Sequence, residues 1–295
     1  MLMLVLTLIA NPNSRDISED LVSEMTTNLS NSPPVWLGDC CACDIFLKPD
    51  IRNLEETVGE YIAEAPIDFV TQPITSRRKK VLIADMDSTM IEQECIDELA
   101  AEIGIKDTVA AITAKAMNGE LDFEEAVEER VALLQGLDAD VTDRIIENRI
   151  TLVSGGKTLV QTMKAQGAYT ALVSGGFTTF TSRIAATLGF DENRANVLEE
   201  EEGKLTGRVI KPILGAQAKV VALNEIAQRK KVTREDFIAV GDGANDVPML
   251  QMAGTGVALH AKPSVAAQSK IKIDHGDLTS LLYLQGYRES EFIVG

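Results

Sequence analysis

Basic residues are scarce in this sequence compared with acidic ones. Its 295 residues include 28 Lys and Arg against 45 Asp and Glu, a formal net charge of −17 at pH 7. Proteins that bind nucleic acids or anionic membrane surfaces normally carry a surplus of positive charge. The composition therefore excludes a general binder of either kind, and a site for an anionic substrate would need cations gathered locally.

Cysteine and histidine are also rare, with four cysteines and two histidines in the chain. Three cysteines are adjacent or nearly so, at Cys40, Cys41 and Cys43, and such a cluster does not make the disulfide framework of a secreted protein. Because His260 and His275 lie far along the chain, no four-ligand zinc motif is formed. We expect the cysteines to pack in a core strand and the protein to be cytoplasmic.

Long apolar runs are missing too, since no stretch reaches the ~18 uncharged apolar residues of a membrane span. The opening MLMLVLTLIA has no positive residue before it and continues into Asn11-Pro12-Asn13 instead of a small-residue cleavage site. We interpret it as a buried strand. With 45% apolar residues, the chain is long enough for two domains with full-sized cores.

Residues 1–75 predict a small domain with the element order βαββαβ. The pattern indicates a strand at 2–10, a helix at 16–28, strands at 35–38 and 43–47, a helix at 52–64 and a strand at 67–71. This order is that of a ferredoxin-like sandwich, two helices on a four-stranded antiparallel sheet. The basic run Arg77-Arg78-Lys79-Lys80 follows, and we interpret it as a solvated linker.

The rest of the chain predicts an α/β core with a doubly wound parallel sheet. VLIAD (81–85), TALVS (170–174) and FIAV (237–240) are short apolar runs typical of strands buried on both faces. In such sheets function lies at the carboxyl ends of the strands. We assign residues 76–91 and 150–295 to this core.

Residues 92–149 interrupt the core with a segment that predicts helices only. Its apolar positions recur at helical spacing around 95–116, 123–135 and 139–149. Further on, Gly203 lies between two β-prone segments within 197–209, which predicts a hairpin whose exposed loop contains the run Glu199–Glu202.

Acidic side chains follow two of the predicted core strands. Asp85 and Asp87 come directly after the first, and the third runs into Gly241-Asp242-Gly243-Ala244-Asn245-Asp246. Two acidic loops at one edge of a sheet would form an oxygen-rich site suited to Mg²⁺. Exposed loop acids are common, so each motif alone is weak evidence.

Two further features could bind a phosphate. Ser174-Gly175-Gly176 offers a hydroxyl and two glycine N–H groups at the end of the middle strand, which is an anion cradle or an ordinary strand-to-helix turn. Lys219 lies on an otherwise apolar face of a predicted helix, where it is either functional or a surface lysine with a buried stem.

The four motifs in this order resemble the haloacid dehalogenase superfamily of phosphotransferases. The segments DMDSTMIEQECIDELA (85–100), ITAKAMNGELDFEEAVEERVALLQGL (112–137), LVSGGF (172–177) and VGDGANDVPML (240–250) are further similar to its phosphoserine phosphatase family, over about residues 80–283. The resemblance implies a HAD-like, Rossmann-like core with a helical cap at 92–149. It also implies a Mg²⁺-dependent phosphatase that releases L-serine from O-phosphoserine, the last step of serine biosynthesis.

The same resemblance implies roles for the motif residues. Asp85 would attack phosphorus and become an aspartyl phosphate, and Asp87 would act as the general acid and base. The Asp85 side chain, the Asp87 backbone carbonyl and Asp242 would hold Mg²⁺. The phosphate ligands would be Ser174, Gly175, Lys219 and Asn245, with Asp246 supporting Lys219.

Substrate choice would belong to the cap. By resemblance, Glu94 would accept the substrate ammonium, Arg130 would bind its carboxylate, and Met117 and Phe123 would form an apolar lid. From the sequence alone Glu94 and Arg130 could equally be surface charges, and the two apolar residues could be core. Cys95, with no histidine nearby in the sequence, is expected to be buried and unreactive.

The N-terminal βαββαβ order resembles the ACT-type modules that bind amino acids. Its first strand-to-helix loop, residues 11–16, lacks the glycine that such modules commonly use to admit a ligand. We therefore expect a degenerate module for packing on the core or for homodimer contacts. Two other functions stay open: a phosphatase of another small phosphomonoester, and a signalling switch phosphorylated on Asp85.

Overall fold

The computed structural model describes residues 3–49, 51, 53–117 and 120–294, without the side chains of residues 116 and 117. The N-terminal elements are β1 (Leu4–Ala10), α1 (Glu19–Leu29), β2 (Val35–Gly38), β3 (Ala42–Phe46), α2 (Leu54–Ile62) and β4 (Ile67–Pro73). The predicted βαββαβ order is confirmed. Helix α1 begins three residues later than predicted because the Ser18 hydroxyl accepts a hydrogen bond from the Leu21 N–H and caps the helix.

The N-terminal strands form an antiparallel sheet in the order β2-β3-β1-β4. Alternate residues of β1 point to opposite faces, so Leu6 and Leu8 pack under α1 and α2. Ile9 and Val70 point the other way and join the core around Tyr283. One face of this sheet therefore packs on the rest of the protein. Packing on the core was one of the two roles expected for this module, and homodimer contacts were the other.

The basic run at 77–80 is only partly the solvated linker predicted from the sequence, because Arg78 and Lys80 are exposed but Arg77 is not. Arg77 is largely buried and pairs with the fully buried Asp44 at 2.6 Å. Arg78 pairs with Glu291 at 2.8 Å and stacks over the Tyr287 ring. These partners are distant in the sequence, so local composition could not reveal that the run joins the N-terminal sheet to the C-terminal segment.

The remaining elements alternate strands and helices around the cap. In chain order they are β5 (Val81–Ala84), α3 (Cys95–Glu102), α4 (Lys106–Met117), α5 (Phe123–Ala132), α6 (Val141–Asn148), α7 (Gly156–Ala165), β6 (Tyr169–Phe177), α8 (Thr178–Leu188), β7 (Glu192–Glu201), β8 (Lys204–Ile210), α9 (Ala216–Lys230), β9 (Phe237–Gly241), α10 (Val247–Met252), β10 (Thr255–Leu259), α11 (Pro263–Ala266), β11 (Ile271–Ile273) and α12 (Ser280–Leu284).

The core strands of the described chain form one sheet in the order β11-β10-β9-β5-β6-β7-β8, parallel except for the β7–β8 ladder. Leu82 and Ala84 pack on the face covered by α7, α8 and α12, and Val81 and Ile83 pack on the face covered by α9 and α10. The predicted doubly wound parallel sheet is confirmed, while β10 and β11 were not predicted.

Helices α3 to α6 form the insertion between β5 and α7. The segment with helical spacing around 95–116 forms two helices, α3 and α4, which are separated where Gly104 adopts a positive φ of 72°. The helical prediction for 92–149 otherwise holds, although the domain boundaries themselves stay predictions.

The hairpin β7–β8 turns at Glu202 and Gly203, as predicted. The predicted loop of Glu199–Glu202 is wrong in part, because Glu200 and Glu201 pair with β8 and the first three glutamates of the run belong to β7. The hairpin also supports the cap. The N–H of Gly136 donates to the Leu205 carbonyl at 2.8 Å, and Lys204 pairs with Asp138 at 2.8 Å. Strand β7 additionally pairs with β6, so it belongs to the main sheet.

Cys41 and Cys43 are buried, in agreement with their predicted core packing, whereas Cys40 is half-buried in the turn before β3. None of the helices in the described residues combines the length and apolar character required to cross a bilayer.

Candidate active site

The predicted acidic loops meet because their strands are neighbours. Ala84, the last residue of β5, is in register with Val240 of β9 and Leu172 of β6. Parallel strands end at the same edge of the sheet, so Asp85, Asp242 and Ser174 come together there.

Lys219 lies buried between two carboxylates at this edge. Its ammonium is 2.7 Å from Oδ1 of Asp85 and 2.5 Å from Oδ1 of Asp246, and the three side chains are at most 7% exposed. Burial opposes the charged ammonium, but the Asp85 and Asp246 carboxylates outweigh it and raise the pKa of Lys219. The lysine is therefore a permanent cation inside the site, not a surface residue with a buried stem.

Asp85, Asp242 and Asp246 could together hold a metal ion. One carboxylate oxygen from each lies within 4.8 Å of the others. Burial and then the Asp246 charge raise the pKa of Asp242 to about 6, and the same two causes raise the pKa of Asp85 above its usual range. A divalent cation would offset this crowded negative charge, so the donor set fits Mg²⁺.

Asp87 is held beside the site by two hydrogen bonds. Its Oδ1 accepts from the N–H of Cys95 at 3.0 Å, and its Oδ2 accepts from the Ser174 hydroxyl at 3.3 Å. Burial, followed by the charge of Glu94, raises the pKa of Asp87 to about 6. The carboxyl group can therefore exchange a proton near neutral pH.

The cradle Ser174–Gly176 leaves the regular ladder between β6 and β7, whose register shifts between Val173 and Phe177. Inside this bulge the N–H of Gly176 donates to the Ser174 hydroxyl at 2.9 Å. A Cβ added at Gly176 would lie 2.6 Å from Oδ2 of Asp87, so only glycine lets the acid approach the cradle this closely.

A cavity of about 380 Å³ opens between this edge of the sheet and the cap. The sequence-predicted residues that line it are Asp85, Asp87, Glu94, Phe123, Arg130, Ser174, Gly175, Asp242 and Asn245. Lys219 and Asp246 lie buried behind it. The structure thus brings the predicted core and cap residues to one place, apart from Met117, whose side chain lies outside the described part.

The two charged cap residues are held in different ways. Oε1 of Glu94 accepts from the Ser88 hydroxyl at 2.9 Å. Nε of Arg130 donates to the Ala126 carbonyl at 2.9 Å and Nη1 donates to the Thr113 hydroxyl at 3.3 Å. No carboxylate in the described residues forms an ion pair with Arg130, which leaves its charge available to an anion in the cavity.

The Phe123 ring lies over two glycines of the core. A Cβ added at Gly215 would come 2.9 Å from its Cδ1 atom, and one at Gly175 would come 3.4 Å from its Cζ atom. The cap therefore contacts the Ser174–Gly176 cradle through this ring, which is 37% exposed.

Sequence reasoning missed several side chains at the site, among them Thr89, Thr113 and Lys262. The Thr89 hydroxyl donates to Oδ1 of Asp242 at 3.0 Å, and Lys262 and Thr113 line the cavity. Thr89 was within the quoted DMDST motif, whereas Lys262 follows the unpredicted strand β10. Cys95 is buried as expected, and burial raises the pKa of its thiol.

A larger open cleft of about 1160 Å³ lies between β4 and the segment 254–275. None of the motif residues lines it, so its size does not make it the reaction site.

Comparison with known proteins agrees with this geometry. Residues 82–251 match the family model for haloacid dehalogenase-like hydrolases. A probable phosphoserine phosphatase of Schizosaccharomyces pombe is 44% identical over 249 residues, which cover 83% of each chain.

A phosphoserine phosphatase of Archaeoglobus fulgidus is 47% identical over 198 residues, 66% of this chain and 57% of that relative, so the chain matches only a little over half of its length. Among solved structures, a HAD family hydrolase of Salmonella enterica serovar Typhi superposes with a TM-score of 0.84 at 32% identity, covering 96% of this chain and 98% of the other.

Proposed function

Because the chain belongs to the haloacid dehalogenase-like hydrolases, we propose that it is a Mg²⁺-dependent phosphoserine phosphatase that acts through an aspartyl phosphate on Asp85. The observation that carries the proposal is the cavity that Asp85 and Asp87 share with Arg130 and Glu94. It combines two carboxylates that would serve as nucleophile and acid with a cation and an anion that would bind an amino acid.

In the first step, Oδ of Asp85 would attack the phosphorus of O-phospho-L-serine. The bond between phosphorus and the seryl oxygen would break, and Asp87 would give its proton to that oxygen, releasing L-serine. A pKa of about 6 supports this role, since Asp87 then binds and releases a proton near neutral pH.

In the second step, Asp87 as a carboxylate would take a proton from water. The hydroxide oxygen formed in this way would attack phosphorus, and the bond between phosphorus and Asp85 would break. Phosphate would then leave the site, and the Asp85 carboxylate would be restored. Ser174, Gly175, Lys219 and Asn245 are proposed to hold the phosphate oxygens.

Mg²⁺ would be held by the carboxylates of Asp85 and Asp242 and the backbone carbonyl of Asp87. When bound, it supplies positive charge that offsets the repulsion between a phosphate dianion and the acidic site. The carboxylate of Asp246 is already engaged by Lys219 and by the N–H of Gly243, so we assign it a supporting role.

This reaction would make L-serine and phosphate, the last step of serine biosynthesis, and we expect it to take place in the cytoplasm. The substrate would be the small-molecule partner. We also propose that the N-terminal elements could form a homodimer. The sheet face with Ile9 and Val70 would not take part, because it packs on the core.

The proposed substrate is tested by removing the charge of Arg130. We expect Arg130→Ala to raise KM for O-phospho-L-serine about tenfold to a hundredfold, because a charged hydrogen bond to the carboxylate is lost. Hydrolysis of phosphoethanolamine, which lacks the carboxylate, should change little. Steady-state phosphate release from both substrates measures the difference.

Arg149→Ala is the matched control, since Arg149 is a cap arginine that pairs with Glu102 at 2.7 Å and does not line the cavity. Arg149→Ala should leave KM and the rate of phosphate release unchanged for both substrates. If Arg130→Ala slowed the hydrolysis of both substrates equally, Arg130 would not bind the substrate carboxylate. Such a result would favour another small phosphomonoester as the substrate.

A further inference from the structure

A buried amide, Asn196 of β7, joins the two segments that carry the proposed phosphate ligands. The residue is 1% exposed. Its Nδ2 donates to the Gly175 carbonyl at 2.8 Å and to the Leu214 carbonyl at 3.3 Å, and its Oδ1 accepts from the Leu214 N–H at 2.7 Å. All the hydrogen-bonding groups of this side chain are thus directed at backbone next to the site.

The bond to Gly175 is needed because of the bulge in β6. On β6 the register moves from Val173 to Phe177, while on β7 it moves only from Arg194 to Asn196. The extra residues leave the ladder, so the Gly175 carbonyl has no strand partner there, and a buried carbonyl without a partner is costly. The Asn196 amide supplies that partner.

This bond also fixes the hydroxyl of the cradle. The Gly175 carbonyl and the Gly176 N–H belong to one planar trans peptide and point in opposite directions. With its carbonyl bound to Asn196, the peptide directs its N–H to the Ser174 hydroxyl at 2.9 Å, and that hydroxyl donates to Asp87 at 3.3 Å. A continuous chain of bonds therefore runs from Asn196 to Asp87.

At its other end the amide fixes the start of α9. Leu214 precedes Gly215, the N-cap residue of this helix, and Lys219 lies one turn further on. The Phe123 ring of the cap lies against Gly175, whose carbonyl accepts a bond from Asn196, and against Gly215, which follows Leu214. The Asn196 side chain thus sets the distance between the cradle and the start of α9, which carries Lys219. It also fixes the two glycines that the Phe123 ring contacts.

We propose that Asn196 is a positioning residue that holds the Gly175 bulge and the start of α9 at the distance required for phosphate binding and cap closure. This inference rests on the proposed function, because the reaction it serves is phosphate-ester hydrolysis at this site. Asn196 touches no reacting atom and acts through the backbone of Gly175 and Leu214.

Two substitutions test the role. Asn196→Ala removes the three bonds, and the isosteric Asn196→Asp keeps the acceptor for Leu214 but turns a carboxylate oxygen towards two carbonyls. We expect the affinity for inorganic phosphate in the presence of Mg²⁺, measured by calorimetry, to fall about tenfold or more in each, with the larger loss in Asn196→Asp. If Asn196→Ala does not fold, the phosphate affinity of Asn196→Asp alone tests the role of Asn196.

The kinetic signature separates positioning from general destabilisation. Since Asn196 serves the phosphate end, kcat/KM should fall equally for O-phospho-L-serine and phosphoethanolamine. Asn193→Ala is the control: Asn193 also lies in β7 and accepts a bond from Thr181 at 2.9 Å, but it does not contact the cradle. It should lower the unfolding midpoint while phosphate affinity stays at the wild-type value.

The inference would be overturned if both Asn196 variants kept the wild-type affinity for phosphate. It would also be overturned if Asn193→Ala lost as much phosphate affinity as they do, or if the wild-type protein did not bind phosphate. Failure of the proposed function would look different, because wild-type protein would then bind phosphate without hydrolysing O-phospho-L-serine. In that case the phosphate affinities of the variants still decide the role of Asn196.

Discussion

Asp85→Asn is expected to reduce phosphate release from O-phospho-L-serine by about 100,000-fold or more, the scale seen when a covalent nucleophile is removed. The amide has the shape of the carboxylate but is a far weaker nucleophile. The remaining ion pair of Lys219 with Asp246 keeps the buried cation neutralised. Rates measured by phosphate release, together with the absence of a phosphorylated protein by mass spectrometry, check the prediction.

The same substitution should not destabilise the fold. Burial and the Asp246 charge raise the pKa of Asp85 above its unfolded value, so the ionised group opposes folding at neutral pH. A neutral amide removes that cost, and the unfolding midpoint of Asp85→Asn at pH 7 should equal or exceed that of the wild type. A large loss of activity with a lowered midpoint would point to misfolding instead of a missing nucleophile.

Asp68→Asn provides the matched control for this variant. Asp68 is a buried aspartate of β4 that accepts hydrogen bonds from the backbone N–H groups of residues 274–276, away from the cavity. It should retain the wild-type rate. Substantial turnover by Asp85→Asn would contradict the proposed nucleophile.

Asp87→Asn is expected to slow turnover of O-phospho-L-serine about a hundredfold to ten-thousandfold, the usual contribution of a general acid or base. With p-nitrophenyl phosphate, whose leaving group needs no proton, attack by Asp85 should continue. Hydrolysis of the phosphoenzyme still needs a base, so the variant should accumulate protein carrying one phosphoryl group. Rapid-quench mass spectrometry measures its formation and decay.

This result also separates an enzyme from a signalling switch. A phosphatase needs a short-lived phosphoenzyme in the wild type and a longer-lived one in Asp87→Asn. A wild-type phosphoenzyme that persists, with a decay unaffected by Asp87→Asn, would refute the enzymatic account and support a switch phosphorylated on Asp85.

The site could be predicted largely because its residues follow strand ends. Asp85, Ser174 and Asp242 each come just after or within the end of an apolar run, and the topology of a parallel sheet then brings them together. Lys219 was recognisable as a charge on an apolar helix face, although only the structure shows that Asp85 and Asp246 neutralise it.

What could not be predicted depends on contacts between distant parts of the chain. Arg77 looks like a linker residue until Asp44 is placed beside it. Asn196 has no local signal, since its partners Gly175 and Leu214 are brought to it by the bulge in β6 and by the path into α9. The break at Gly104 was hidden because the apolar spacing continues across it.

The acidity of the chain limits its partners in a specific way. The acidic excess belongs to residues 1–75 and 92–149, whereas residues 76–91 and 150–295, the predicted core, are nearly neutral. Lys219, Arg130 and a bound Mg²⁺ could therefore provide local positive charge for one small dianion, without an extended basic surface.

The most direct test of this account is phosphate release from O-phospho-L-serine by the wild-type protein, with Mg²⁺ and after its removal by a chelator. We predict steady release with Mg²⁺, a loss of more than about a hundredfold after chelation, and recovery when Mg²⁺ is restored. No release in the presence of Mg²⁺, or release that chelation leaves unchanged, would contradict the account.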